Sequence, residues 1–207
     1  MAHVLDDPGP LSPLARDFLA RNAKRLPVDL GPDDERLRAD MRAAYGRVDE
    51  DLLARLRWAQ DRYAGLSYQS PLFYQAVFFQ PQFDPEDEPA IWGVLQPDPA
   101  DGCFDAGMAV DGTVLFGMFE SYRPAFPSLD HFLECDAVME YARRGRPCDD
   151  DPPPNLRLVE HASGFDVEWS ANDEALVHRC GLWAELGFPG LARGMWIRQE
   201  PGNALAL

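Results

Sequence analysis

Two histidines and two cysteines are the residues of this chain whose types and spacing come nearest to a metal site. His131 and Cys135 are one helical turn apart, and His178 and Cys180 follow at a distance. A structural zinc site needs three or four such ligands that converge from fixed positions. H-x3-C is a weak signature, however, and the two side chains of H-x-C on a helix point in very different directions. We therefore predict neither a bound metal nor a cofactor.

Nucleophilic and acid–base catalysis have no clear signature either. Ser163-Gly164 lies close to His161, but this pair reads first as the tip of a hairpin. The chain contains no G-x-S-x-G motif and no glycine-rich phosphate loop. Its 35 acidic residues make chance pairs of carboxylates inevitable. The sequence thus favours a non-enzymatic protein.

The acidic residues are distributed unevenly, and their distribution bears on the partner. The net charge is −16, and residues 63–122 hold nine acids and no Lys, Arg or His. A field of one sign accelerates encounter with a basic partner and repels nucleic acid and anionic lipid. The alternative interpretation, equally weighted, is a surface that serves only solubility. In both cases the charge disfavours binding to DNA, RNA or a membrane surface.

The stretch FFQPQFDPEDEPAIW (residues 78–92) joins aromatic side chains to an acidic, proline-rich loop. Aromatic anchors beside a charged rim are typical of the energetic centre of a protein–protein interface. The simpler interpretation of the aromatic residues is that they pack the sheet. The predicted partner-binding residues are Phe83, Asp84, Glu86, Asp87, Glu88, Trp92, Asp98 and Asp101.

Periodicity and capping residues predict an α+β fold with helices first. Amphipathic helices are expected within residues 12–25, 33–46 and 49–65, followed by strands within 73–80, 90–96, 103–110 and 113–120. Four strands in sequence indicate an antiparallel meander. Asp111-Gly112, between the last two, predicts a hairpin with a type I′ turn, which requires positive φ at both residues.

A further helix is predicted to pack on this sheet, and it carries His131 and Cys135. Ser128 is a suitable N-cap, and Gly145 is a suitable stop. A core-facing stripe is expected at Phe132, Cys135, Met139 and Ala142. On this interpretation Cys135 is a small buried hydrophobic residue rather than a ligand.

The chain is expected to divide into an α+β core domain (1–145), an acidic proline-rich linker (146–155) and a C-terminal αβ extension or small appended unit (156–207). In the extension we expect a hairpin around residues 162–164, a helix from about 172 to 186 and a last strand within 192–200. No segment has the composition of a secretory signal or a membrane span, so the expected location is cytoplasmic.

The order of elements, with the turn AVDGTVLFG (109–117) before the helix start FPSLDHFLE (126–134), resembles the SUKH superfamily. This group contains yeast cell-wall assembly regulators and bacterial toxin-immunity proteins. The likeness covers about residues 50–143, and its motif falls on Ser128 to Leu133. The resemblance implies a binding fold without catalytic residues, used in bacteria to neutralise a cognate toxin. Many such toxins act on nucleic acid and are basic, in agreement with the charge argument.

The leading hypothesis is therefore a cytoplasmic immunity protein that binds a basic protein partner, for example a nuclease-type toxin. The alternative is a small enzyme or metabolite-binding protein. Its pocket would lie between the sheet and the C-terminal unit and use His131, His161 or His178. A third possibility is an accessory subunit of a larger complex.

Overall fold

The computed structural model describes residues 2–83, 90–93, 96–97, 105–118, 121–147, 151, 153–181 and 195–198. Within these ranges the chain forms four α-helices and three antiparallel sheets, which confirms the predicted α+β class. The N-terminal helices, the meander and the helix packed after it are all present. No helix in the described ranges is long and apolar enough to cross a bilayer.

The three N-terminal helices begin where the capping residues predict. Ser12, Asp33 and Asp49 each accept a hydrogen bond from a backbone N–H in the first turn. These bonds satisfy donors that a helix leaves unpaired at its start. Gly46 ends the second helix in the left-handed conformation, with φ of 71°. The helices are α1 (Pro13–Asn22), α2 (Asp34–Tyr45) and α3 (Glu50–Tyr63).

The first sheet lies beside these helices and contains two strands that the sequence did not predict, Lys24–Arg25 and Leu66–Ser70. The helix expected within 12–25 ends at Asn22, and the prediction is wrong over residues 24–25, which pair with Leu66 and Ser67 as a strand. Three of the five residues of Leu66–Ser70 are polar, and the buried Ser67 and Ser70 lie on opposite faces, so the composition does not indicate a half-buried strand. The predicted strand within 73–80 is confirmed over Gln75–Phe78, but it pairs in this sheet and not with the later strands of the predicted meander. In spatial order the sheet contains β1 (Lys24–Arg25), β2 (Leu66–Ser70), β3 (Gln75–Phe78) and β6 (Gln96–Pro97).

The second sheet is the meander, and its central hairpin differs from the predicted one at the turn. Asp111 does not have positive φ, whereas Gly112 does, at 96°. The Gly112 N–H donates to the Ala109 carbonyl, and Asp111 accepts from the Thr113 N–H. The type I′ prediction is wrong because the loop is longer and needs one left-handed residue. In spatial order the strands are β4 (Gln82–Phe83), β5 (Ile91–Trp92), β7 (Asp105–Met108), β8 (Val114–Met118) and β9 (Ser121–Phe126).

Helix α4 (Leu129–Ala142) is the central element of the described core. Ser128 caps it as predicted, and Phe132, Cys135 and Met139 are buried. Ten of its fourteen residues are buried, however, so the helix is covered on nearly every side and not along one stripe. It contacts α1, strand β9 and the short 3₁₀ helix η1 (Glu160–Ala162).

The third sheet is built from the C-terminal region and shares the buried core with α4. The predicted hairpin and last strand are confirmed, but the helix predicted from about 172 to 186 is wrong over 175–180. Leu176, His178 and Cys180 alternate on the buried face of a strand and lie opposite Ala171, Trp169 and Val167. Residues 182–186 lie outside the described ranges. In spatial order the strands are β10 (Arg146–Pro147), β14 (Met195–Arg198), β13 (Ala175–Cys180), β12 (Val167–Ala171) and β11 (Arg157–Leu158).

Candidate functional site

Phe83, one of the two predicted aromatic anchors, packs toward the N-terminal helices. Its ring meets the ring of Tyr45 edge-on, with centroids 6.0 Å apart. It also lines a cavity of about 110 Å³ together with Leu37, Leu56 and Gln60. The Gln60 amide donates to the Leu30 and Pro81 carbonyls, which fixes the chain just before β4. Phe83 thus holds the start of the meander against the helices.

Trp92, the second predicted anchor, faces the opposite side of the sheet. Gln82 pairs with Trp92 and Phe83 pairs with Ile91, so the two aromatic side chains project from opposite faces. The indole lies on Gly107, where a methyl group would come within 2.6 Å of the ring. Its centroid is 4.7 Å from that of Tyr122. The indole N–H is buried, with no acceptor among the described residues.

The predicted acidic partner-binding residues, Asp84, Glu86, Asp87, Glu88, Asp98 and Asp101, lie outside the described residues. In sequence, the first four follow β4 and the last two follow β6. In the described part of each sheet, β4 and β6 are edge strands. The acidic stretches are therefore connected to sheet margins, and their role in binding stays a prediction.

A groove of about 550 Å³ lies between the meander and the C-terminal region. Its distinctive feature is Phe165, whose side chain is 53% exposed. The Phe165 N–H donates to the Ala125 carbonyl at 2.9 Å, so this loop is fastened to the edge of β9. The residues that line the groove are Ala109, Asp111, Thr113, Leu115, Arg123, Pro124, Phe165 and Asp166.

The charges of the groove are two carboxylates and one guanidinium, those of Asp111, Asp166 and Arg123. Hydrogen bonds from Thr113 hold the pKa of Asp111 below its usual value, and Arg55 acts in the same direction. Arg55 is itself fixed by donation to the Val110 carbonyl. Asp111 therefore carries a negative charge at neutral pH, at the tip of the hairpin.

Trp92 and the groove lie on the same face of the second sheet. Gly107, which carries the indole, pairs with Leu115, and Leu115 pairs with Pro124. Leu115 and Pro124 both line the groove. The face therefore combines Trp92 and the groove, which we call the groove face. Sequence reasoning missed Phe165, since a single phenylalanine after a glycine in a hairpin gives no signal of exposure.

The three histidines of the enzymatic alternative do not line this groove. His131 Nδ1 lies 2.8 Å from the Ser128 hydroxyl, and burial lowers its pKa. His161 Nε2 is 3.8 Å from a carboxylate oxygen of Glu134, which also accepts two hydrogen bonds from Ser12. His178 is separate from both. Its ring stacks on Trp169 at 4.4 Å, and burial lowers its pKa to about 4.

The two cysteines within the described residues, Cys135 and Cys180, are buried in the core. The Trp169 indole N–H donates to Cys135 Sγ at 3.4 Å, while burial raises the pKa of the Cys135 thiol. A protonated thiol is a poor metal ligand and a poor nucleophile. Across the described residues, no group of three or more His, Cys, Asp or Glu side chains is placed to hold a metal ion.

Comparison of the chain with protein-family models, with curated proteins and with solved structures found no match.

Proposed function

We propose that this protein binds a basic protein partner through the groove face, and that it acts in the cytoplasm as an immunity protein against a cognate toxin. The observation that carries the proposal is the exposed Phe165 beside the carboxylates of Asp111 and Asp166. Half of the residues that line the groove belong to the segment 63–122, which contains no basic residue, and Arg123 lies just beyond that segment. The proposal involves no catalytic step.

The chemistry of the groove face suits a lysine or arginine side chain. The aliphatic part of such a side chain packs on an aromatic ring while its charged end stays near water. At Phe165 that end would lie near Asp111 and Asp166. Trp92 adds a half-buried aromatic ring to the same face.

The immunity role is supported by the charge and by the resemblance to the SUKH motif at Ser128 to Leu133. A toxin that acts on nucleic acid needs a basic surface, and an acidic protein competes for that surface by charge alone. The net charge of −16 suits such a competitor.

The test is affinity capture from a lysate of the native host at low salt, with elution by a salt gradient and identification by mass spectrometry. We expect one basic protein to be released as the salt concentration rises. The captured protein should be toxic alone and harmless when co-expressed with this chain. Absence of any retained protein, with a metabolite or metal bound in native mass spectrometry, would favour the enzymatic or metabolite-binding alternative.

Reversing the charge of Asp166 to lysine is expected to slow association with the captured partner by about ten-fold at low salt. The difference should shrink at high salt because rim charges act through a screened field. Stopped-flow kinetics at several salt concentrations measure both effects. The matched control is Asp173→Lys. Asp173 is also an exposed acid, but it follows β12 in sequence, whereas Asp166 precedes it. An equal loss in both variants would show that overall charge, and not the groove, governs binding.

Reversing Glu86, Asp87 and Glu88 together to lysine is expected to weaken the same complex, again mainly by slower association. Surface plasmon resonance at low salt gives the rate. Unchanged binding would remove these three residues from the interface while leaving the groove assignment in place. The two sets of variants therefore separate the predicted acidic loop from the groove.

A further inference from the structure

Tyr74 has an unusual backbone and an exposed side chain. It ends the four-residue turn between β2 and β3, and its φ is 58°. This is the left-handed region, which glycine and asparagine enter readily and bulky residues rarely do. Its side chain is nevertheless 65% exposed. Little burial is therefore gained in return for the strained conformation.

The turn is held in place by contacts from several directions. The Leu72 N–H donates to the buried carboxyl of Asp136, and the Phe73 N–H donates to the Ser70 hydroxyl. From the C-terminal end of α4, the Arg143 guanidinium donates to the Pro71 carbonyl at 2.8 Å. These bonds hold the three residues before Tyr74, and the pairing of Gln75 with Ser70 holds the residue after it. The strained residue is thus flanked on both sides by hydrogen-bonded backbone, which maintains its conformation.

Arg143 also fixes the tyrosine side chain. Its guanidinium carbon lies 4.7 Å from the centroid of the Tyr74 ring, in a cation–π contact. One N–H of the fork is used on Pro71, and the other donors have no partner among the described residues. Arg143 is exposed. An aromatic ring and a charged fork are therefore presented together on the surface, in contact with each other.

We propose that Tyr74 and Arg143 form a second recognition surface, which binds a carboxylate-bearing segment of another protein. Tyrosine and arginine are the residue types that dominate interface energetics, above all when they are ordered before binding. An arginine fork matches a carboxylate through paired hydrogen bonds. The ligand has the opposite charge to the basic partner of the groove face. This inference goes beyond the proposed function and does not depend on it.

The test begins with a phage-displayed library of random dodecapeptides selected on the full-length protein. We expect enriched peptides to contain Asp or Glu, and synthetic copies to bind with affinities measurable by calorimetry. Tyr74→Gly and Arg143→Gln should each weaken binding by about ten-fold or more. The matched control is Arg144→Gln, since Arg144 is exposed and already pairs with Glu140. That variant should bind as the original chain does.

Stability measurements on the same variants test the claim of strain. Because glycine adopts the left-handed conformation without cost, Tyr74→Gly should leave the urea midpoint unchanged or raise it. A lowered midpoint would show that Tyr74 is there for stability, which would overturn the inference. Failure to enrich any peptide, enriched peptides without a carboxylate, or equal binding by Tyr74→Gly would overturn it as well.

Discussion

Replacing Asp136 with alanine is expected to lower the free energy of unfolding by about 3–5 kcal/mol, the largest loss among the variants considered. Asp136 is fully buried on α4 and accepts hydrogen bonds from the Tyr68 hydroxyl, the Ser70 hydroxyl and the Leu72 N–H. Alanine would leave all three donors buried without an acceptor and would open a cavity. Chemical denaturation with an unchanged m-value measures the loss.

Asp136→Asn is the matched variant, because it keeps the shape and one acceptor oxygen. That oxygen can still accept from Ser70 and Leu72, while the new amide can donate to a reoriented Tyr68 hydroxyl. The expected loss is about 1 kcal/mol. If alanine and asparagine cost the same, the hydrogen bonds would not be the cause of the effect.

The same carboxyl is expected to make stability depend on pH. Burial raises the pKa of Asp136 to about 7, against the opposing hydrogen bonds from Leu72, Tyr68 and Ser70. The folded chain therefore keeps this proton up to about pH 7, whereas the unfolded chain releases it near pH 3.8. The contribution is fully present below pH 3.8 and is lost as the pH rises to about 7, by up to about 1.4 kcal/mol per pH unit.

Comparison of the original chain with Asp136→Asn isolates this effect from every other titrating group. The difference in unfolding free energy between the two should move in favour of the asparagine variant as the pH rises from about 4 to 7. Denaturation curves at several pH values across that range provide the measurement. Parallel pH profiles would show that the carboxyl of Asp136 is already ionised in the folded chain at the lower pH.

Gly164→Ala is expected to cost about 2–3 kcal/mol and to weaken partner binding at the groove face. An added methyl group would collide with the Ala125 carbonyl oxygen and would lie 2.9 Å from the Phe126 ring. The obstacle is backbone, which cannot move aside as a flexible side chain can. The next residue, Phe165, is the exposed wall of the groove and is fastened to that same carbonyl. A displaced Gly164 therefore displaces Phe165.

Gly181→Ala is the control for this substitution. A methyl group there would meet Asp166 at 3.9 Å, which is ordinary contact, so the expected change is within about 0.5 kcal/mol. Denaturation and partner binding should be measured on both variants. If Gly164→Ala matched Gly181→Ala in stability, the tight approach to β9 would not be needed. If Gly164→Ala lost stability but bound the partner normally, Phe165 would not be part of the interface.

The elements that sequence could predict are those specified by neighbouring residues. Ser12, Asp33, Asp49 and Ser128 cap helices with their own side chains, and Gly46 ends one, so local chemistry sufficed. The hairpin at Asp111 was found for the same reason. The predicted turn type was wrong because loop length and the hydrogen bond from Thr113, rather than composition, decide the backbone conformation.

The features that sequence could not predict depend on distant residues. Strand β2 reads as polar in sequence, and the acceptor for its buried Ser70 hydroxyl is Asp136, 66 residues later. The strand β13 was mistaken for a helix since LVHRC carries apolar residues compatible with both periods. Phe165 is identified as a candidate binding-site residue by its position beside β9, which the sequence around it does not indicate. Among 35 acids, nothing local marks the two that α4 buries, Glu134 and Asp136.

The hydrogen bonds between Ser12 and Glu134 also limit when α1 and α4 can pack together during synthesis. The two residues are 122 positions apart. At a translation rate of about 5–20 residues per second, roughly 6–24 seconds pass between them. During that interval α4, which contacts α1, is not yet complete. Phe18 and Leu19, which are buried in the folded chain, therefore lack part of the surface that covers them. A nascent chain arrested before Leu129 should therefore be a ligand for ribosome-associated chaperones, and one arrested well beyond Ala142 should be released from them.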